Sequence, residues 1–205
     1  MFTGIVTAIG TILQAERRGD LRLKIACPFH PEDIAIGASI ACSGVCLTAV
    51  AKAGHEDGAY FIVDVSAETV SRTAGEMWSE GEKLNLEPSL RLGDELGGHI
   101  VTGHVDAVGE VIQMQPVGGS TAVTIAAPVE LAPYIAEKGS ICVDGVSLTV
   151  NAVDDRPDGT VHFALNVIPH TAEATTLGDL QTGSQVNLEV DAIARYLHRM
   201  QMLRS

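Results

Sequence analysis

Ser39-Ile-Ala-Cys-Ser-Gly-Val-Cys-Leu-Thr48 returns 101 positions later as Ser140-Ile-Cys-Val-Asp-Gly-Val-Ser-Leu-Thr149. Both copies are pairs of short apolar runs around a turn, the pattern of paired strands. Further blocks recur in the same order on either side. Thr3-Gly4, Val6, Ala8 and Gly10 match Thr102-Gly103, Val105, Ala107 and Gly109, and Ile25-Ala26 and Pro28 match Ile125-Ala126 and Pro128. Phe61, Val65, Thr69 and Thr73 match Phe163, Val167, Thr171 and Thr175, and Gly81 with Asn85-Leu-Glu87 matches Gly183 with Asn187-Leu-Glu189. The period is far longer than the ~20–50 residues of a solenoid repeat, so it marks a duplicated domain. Duplication supplies two copies of one pocket.

Within each copy the pattern is β. Runs at Thr7–Leu13, Leu21–Ala26, Ser39–Ala41, Val45–Val50, Tyr60–Val65 and Lys83–Glu87 are rich in branched residues and bounded by turn residues. Strict alternation in Tyr60-Phe-Ile-Val-Asp-Val65 predicts a strand with one face on a core. Gly19-Asp20, 54–58 and 155–159 punctuate these runs as hairpins or loops. Six strands per copy without crossover helices predict a small closed barrel in each half. The expected division is 1–98 for the first barrel with its linker, 99–190 for the second barrel and 191–205 for a terminal helix. That last segment has no counterpart in the first half. Ile193, Leu197, Met200 and Leu203 follow helical spacing, and Asp191 is placed to cap the start. Its apolar stripe packs either on its own barrel or on other subunits.

The 205 residues carry a formal net charge of −13 with no basic stripe, which argues against nucleic acid and anionic membranes as partners. No run of ~18 apolar residues could span a bilayer. Met1-Phe-Thr-Gly-Ile-Val6 lacks the features of a signal peptide, so a cytosolic chain is expected. Cys27, Cys42, Cys46 and Cys142 are then expected to be free thiols, and no spacing among them suits a zinc site.

Met1-Phe-Thr-Gly-Ile-Val6, Ser43-Gly-Val-Cys-Leu-Thr48, Gly97-Gly-His-Ile-Val-Thr-Gly-His-Val-Asp106 and Asp144-Gly-Val-Ser-Leu-Thr149, in that order and within a duplication, resemble the riboflavin synthase family of lumazine-binding duplicated barrels. The resemblance covers the whole chain. It implies a mostly β fold of tandem six-stranded Greek-key barrels with a C-terminal α-helix, assembled as a homotrimer, each barrel holding one 6,7-dimethyl-8-ribityllumazine. It further implies that two lumazines exchange a four-carbon unit, giving riboflavin and 5-amino-6-ribitylamino-uracil, with no cofactor and no metal. Relatives that hold a lumazine or flavin without turnover, as fluorescent antenna proteins, supply the alternative reading.

Donor and acceptor are one compound used in two roles, so positions where the repeat is broken are expected to mark the chemistry. They are Ile5 against His104, Ser43 against Asp144, Cys46 against Ser147, and Ser89 against Asp191. The lumazine 7-methyl group must lose a proton, which a histidine such as His104 can carry near neutral pH. A thiol such as Cys46 can add to the electrophilic 7-position, although free cysteine is as often a buried packing residue. Ser147, Thr149 and Asp191 complete the expected catalytic set. The resemblance places the ligand against Gly4, Ile5 and Val6; Cys46, Leu47 and Thr48; and Asp64, Val65, Ser66, Ala67, Glu68 and Thr69. In the second copy it adds Gly103, His104 and Val105; Ser147, Leu148 and Thr149; Asn166, Val167, Ile168, Pro169, His170 and Thr171; and Lys138. His99 reads as a linker residue or one standing behind the site.

Overall fold

A computed structural model describes residues 1–56 and 58–204. Asp57, inside the expected loop at 54–58, and Ser205, at the end of the expected helix, lie outside the described residues. The first half forms β1 (Ala8–Arg18), β2 (Asp20–Cys27), β3 (Ser39–Cys42), β4 (Val45–Thr48), β5 (Ala51–His55), β6 (Gly58–Val65), the short helix α1 (Ala67–Arg72) and β7 (Lys83–Pro88). The second forms β8 (Ala107–Val117), β9 (Ser120–Pro128), β10 (Ser140–Val143), β11 (Val146–Thr149), β12 (Ala152–Asp155), β13 (Thr160–Val167), α2 (Pro169–Ala174) and β14 (Gln185–Val190), followed by α3 (Ala192–Met202).

Each half is one antiparallel sheet, ordered β4-β3-β7-β1-β2-β6-β5 and β11-β10-β14-β8-β9-β13-β12. The order is the same with every label advanced by seven, so the duplication holds at the level of topology. Each sheet has seven strands where the sequence suggested six. The run expected at Val45–Val50 ends at Thr48, and a separate strand at Ala51–His55 pairs with β6. Between them the Val50 amide bonds the Ile62 carbonyl, as Asn151 bonds Ala164 in the second half, which bends the chain over and lays β4 against β6. Register shifts between Ile12 and Gln14, and between Val111 and Gln113, mark equivalent bulges where β1 and β8 turn around the core. The mostly β tandem architecture with a terminal helix is the one expected.

Alternation places Leu21, Leu23, Ile25 and Cys27 inside with Ala59, Phe61, Val63 and Val65 in the first half. Val123, Ile125, Ala127, Val161, Phe163, Leu165 and Val167 do the same in the second. A third apolar cluster lies between the halves: Phe2, Ala41, Val101 and Cys142. Phe2 and Val101 are fully buried and form an antiparallel bridge, with Phe2 N donating to the Val101 carbonyl and Val101 N to the Phe2 carbonyl. Burying a phenylalanine of this kind is worth about 2–3 kcal/mol, so this bridge fastens the halves on their pseudo-twofold axis.

A polar seam runs alongside. Asn85 Nδ2 donates to the Asp144 carbonyl and Asn187 Nδ2 to the Ser43 carbonyl, while the two Asn oxygens accept from Thr176 N and Ala74 N of the opposite half. The hairpin turns Ser43-Gly44 and Asp144-Gly145 have positive φ at all four residues and meet back to back. Ser43 Oγ accepts from Asn85 N, and Asp144 Oδ1 accepts from Asn187 N. Ser43 and Asp144 therefore belong to the seam and to the wall of a groove of about 380 Å³ between the halves. This break in the repeat, expected to mark chemistry, is a structural one.

Burial pushes the Asp144 carboxyl up to about 7, against the lowering effect of the Asn187 amide. An acid raised in the folded state costs nothing below its unfolded value near 4, and the folded state loses stability as pH climbs from about 4 through 7. Asp144→Asn keeps an oxygen for the Asn187 amide and suits a positive φ. We expect the variant to melt several degrees above the parent at pH 8 and to show a flatter Tm profile between pH 4 and 7. Calorimetry at stepped pH decides it, and a lower Tm at pH 8 refutes the assignment.

Candidate active site

The two halves exchange arms. The chain before β1 leaves Gly4 against β11 of the second half, where the Gly4 carbonyl accepts from Ser147 N at 2.8 Å. The chain before β8 likewise lays Gly103 on β4 of the first half, its carbonyl accepting from Cys46 N at 2.8 Å. Val6 packs on the core of the second half and Val105 on that of the first. Both crossings depend on glycine. Gly4 and Gly103 have φ of +75° and +78°, and a Cβ at either would stand 2.6 Å from the Cβ of Ser147 or Cys46. A buried glutamate anchors each arm: Glu87 accepts from Thr3 N, Thr3 Oγ1 and Gly4 N, and Glu189 from Thr102 N, Thr102 Oγ1, Gly103 N and His104 N. Burial raises the Glu87 carboxyl, and the donors of Thr3 and Gly4 partly offset that.

The exchange sorts the expected residues into two groups. In the first half β4, with Cys46, Leu47 and Thr48, meets the second arm, with Gly103, His104 and Val105, where Cys46 touches Gly103. In the second half β11, with Ser147, Leu148 and Thr149, meets the first arm, with Gly4, Ile5 and Val6, where Ser147 touches Gly4. Ile5 and His104 are both exposed, as are Thr48 and Thr149, so each stands on an open surface. Of the four thiols, Cys27, Cys42 and Cys142 are buried and only Cys46 is partly accessible. Burial pushes the thiols of Cys42 and Cys142 upward, which makes them inert.

The rim segments are less free than the sequence suggested. Asp64 is held by Arg22 in a two-pronged ion pair at 2.7 and 2.8 Å, and that hydrogen bond draws its carboxyl below the usual range. Its counterpart Asn166 faces Ala122 instead, so the ion pair of the first rim is not repeated in the second among the described residues. Ser66 caps α1 by accepting from Thr69 N, with Val65 buried before it and Ala67 and Glu68 opening the helix. Ile168, Pro169, His170 and Thr171 form the equivalent start of α2, with Pro169 in the first turn. Lys138 sits exposed in the turn before β10 with φ +66°, and no hydrogen bond joins it to either group among the described residues. Asp191 caps α3 by accepting from Ile193 N at 2.8 Å, as its position predicted.

His99, read from the sequence as a linker residue or one standing behind the site, stands behind Ser147. It is buried, and its Nδ1 lies 2.7 Å from Ser147 Oγ. Desolvation lowers its pKa, with the carboxylates of Asp191 and Glu189 opposing. Its Nδ1 and the Ser147 hydroxyl form one hydrogen bond whose sense follows the tautomer, while its Nε2 is buried without a partner among the described residues. Cys46, at the equivalent place, has no such histidine among them. The pairing joins residues 48 positions apart, and no repeat or spacing announces it.

A family model described as lumazine binding domain matches this chain twice, at residues 3–89 and 102–191. The chain belongs to the lumazine-binding domain family. The two matched segments are the two halves that exchange arms. Among proteins of this family, the riboflavin synthase of Brucella abortus is 45% identical over 202 residues, covering 98% of both chains. That of Photobacterium phosphoreum is 42% identical, covering 98% of this chain and 88% of the relative. Two solved structures of LumP, complexed with riboflavin and with 6,7-dimethyl-8-(1'-D-ribityl) lumazine, superpose with TM-scores of 0.77 and 0.74. Each is 26% identical and covers 93% of this chain and 99% of the other.

Proposed function

We propose that the chain catalyses the dismutation of two 6,7-dimethyl-8-ribityllumazine molecules into riboflavin and 5-amino-6-ribitylamino-uracil. The observation that carries this reading is a pair of equivalent arm crossings with unequal reactive groups. One sets the partly accessible Cys46 against Gly103 of the arm that carries His104, and the other joins Ser147 to His99 on an arm crossing that carries Ile5 in place of a histidine. A reaction using one compound as both donor and acceptor needs this combination of sameness and difference. The four-carbon unit, the donor's ring carbons 6 and 7 with their methyls, passes whole to the acceptor. Atoms and electrons then balance without oxidant or reductant.

His104 is assigned the 7-methyl proton and Cys46 addition at the 7-position. Ser147, with Thr149 two residues on along the same strand, presents hydroxyls to the second ring, and His99 takes or returns the Ser147 proton. Asn166, Ile168 and Thr171 on one rim, and Ser66 and Thr69 on the other, bind the pyrimidine edge and ribityl chain. Holding two rings in near-attack geometry can lower the barrier by about 7–11 kcal/mol.

The reading includes a homotrimer and a cytosolic setting. Ile193, Leu197 and Met200 on α3 and Leu203 at its C-terminal cap are each more than half exposed, so their stripe does not bury itself on its own barrel. A stripe of this kind supports packing on equivalent helices, with each complete site at a boundary between subunits. Among the described residues no helix is long and apolar enough to cross a membrane.

Purified protein supplied with dimethyl-ribityllumazine alone should form riboflavin, with two lumazines consumed per riboflavin and one aminouracil released. Chromatography of the products decides it. Tight lumazine binding with no riboflavin over hours would establish a binding protein of the LumP kind instead.

A further inference from the structure

The two arms are anchored unequally. Each is held by its buried glutamate, but the arm bearing His104 has a second fastening two residues further on. Asp106 accepts from Val190 N at 2.9 Å and forms a two-pronged ion pair with Arg195 of α3, at 2.5 and 2.8 Å. Asp106 N also donates to the Leu188 carbonyl. The carboxylate is 18% exposed and the guanidinium 38%, so water screens this pair less than a fully exposed one. The side-chain hydrogen bond to Asp106 raises the pKa of Arg195, so its charge is permanent. In the first arm Thr7 stands in place of Asp106, its hydroxyl donating to the Leu86 carbonyl at 3.3 Å. The chain after β7 forms no helix before β8 among the described residues, and Arg91, which lines the same pocket as Thr7, makes no ion pair with the first arm among them.

We propose that Asp106 and Arg195 are positioning residues that hold the His104 arm in register over Cys46, and that α3 sets the geometry of this cleft through them. The inference rests on the proposed lumazine dismutation and extends it to residues outside the clefts. Glu189 fixes the arm by its backbone from Thr102 to His104, and the Gly103 and Asp106 backbone bonds add to it, which still leaves the segment some freedom to pivot about these contacts. The ion pair removes that freedom by tying Asp106 to a helix whose start is capped by Asp191 and whose His198 packs edge-on against Tyr134 at 4.8 Å. A shift of about 1 Å at a reacting group can cost about a hundredfold in rate, so partial loosening is readable in turnover. Docking of the exposed apolar stripe of α3 on another copy would be felt at His104 by the same route.

The test uses the full chain as Arg195→Gln and Arg195→Lys, beside the parent. In Arg195→Gln, kcat should fall about tenfold with lumazine affinity, assembly size and Tm close to the parent, and Arg195→Lys should restore most of the rate. The His104 ring resonance, assigned with a His104→Gln reference, should shift in Arg195→Gln and return in Arg195→Lys in protein without ligand. This second readout does not depend on turnover. A parent that makes no riboflavin would overturn the proposed reaction, while an unmoved His104 resonance would overturn the positioning role. Full turnover in Arg195→Gln, or a rate that falls only in step with lost assembly, would overturn it as well.

Discussion

Replacing His104 by Ala should lower riboflavin formation about a hundredfold or more, within the ~10²–10⁴ that a positioned acid or base contributes, while lumazine affinity moves less than threefold. The two effects separate because of how the arm is held. Glu189 accepts from the backbone N–H of His104 and not from its ring, so the substitution removes the imidazole and leaves the anchor. Val105 still packs on the first core, and Gly103 still bonds Cys46 N. The exposed ring also supports no buried contact whose loss would unfold the cleft. A fall in kcat with KM nearly unchanged is the signature of a group acting in the transition state. Ile5→Val at the equivalent place in the other arm conserves an apolar shape and should change little. Cys46→Ser should keep binding and lose part of the rate. Turnover at the parent's level in His104→Ala, followed by riboflavin absorbance, would remove the histidine from the mechanism.

Deleting the chain from Ala192 onward should leave two folded barrels per chain that still bind lumazine but no longer assemble, and activity should fall by about a hundredfold or more as the paired clefts lose their near-attack geometry. Folding should survive because β14 ends at Val190 and the residues of α3 are partly or fully exposed, none of them buried in either core. An eleven-residue helix with such a stripe is marginal alone and is stabilised by what it packs against. The deletion also removes Arg195, so a second variant keeps the ion pair and spoils only the stripe. Leu197→Asp with Met200→Asp should give monomers with the Asp106 contact intact and a similar loss of rate. Light scattering beside an activity assay reads both variants. A truncated chain that keeps the parent's assembly size would remove α3 from the assembly, and monomers with undiminished turnover would show that one chain builds the complete site alone.

The duplication, the β pattern, the helix start at Asp191 and the membership of the lumazine-binding family were legible in the linear chain. The β pattern and the helix start depend on residues a few positions apart, and the duplication on whole blocks that recur in order. Alternation along Tyr60–Val65 reports which face meets a core, and recurring Gly-Val-(Cys/Ser)-Leu-Thr reports common descent. The seventh strand of each sheet was missed because the bend at Ala49 and Val50 carries no glycine or proline. It is imposed by the Val50 amide reaching Ile62 across the sheet.

The tertiary structure alone decided what surrounds each candidate residue. Gly4 meets Ser147 and Gly103 meets Cys46 because both arms cross the pseudo-twofold axis. Equal repeats are equally compatible with arms that stay on their own barrel. His99 reaches Ser147, and Arg195 reaches Asp106 across 89 positions, through contacts that no periodicity encodes. Ser43 and Asp144 illustrate the converse, since the linear comparison marked their difference and the fold turned it toward the seam. Hydrophobic patterning determines which residues are inside, at a resolution of one face of a strand. Which polar groups then meet is set by the closure and docking of whole sheets, where each buried donor must find an acceptor in whatever element arrives beside it.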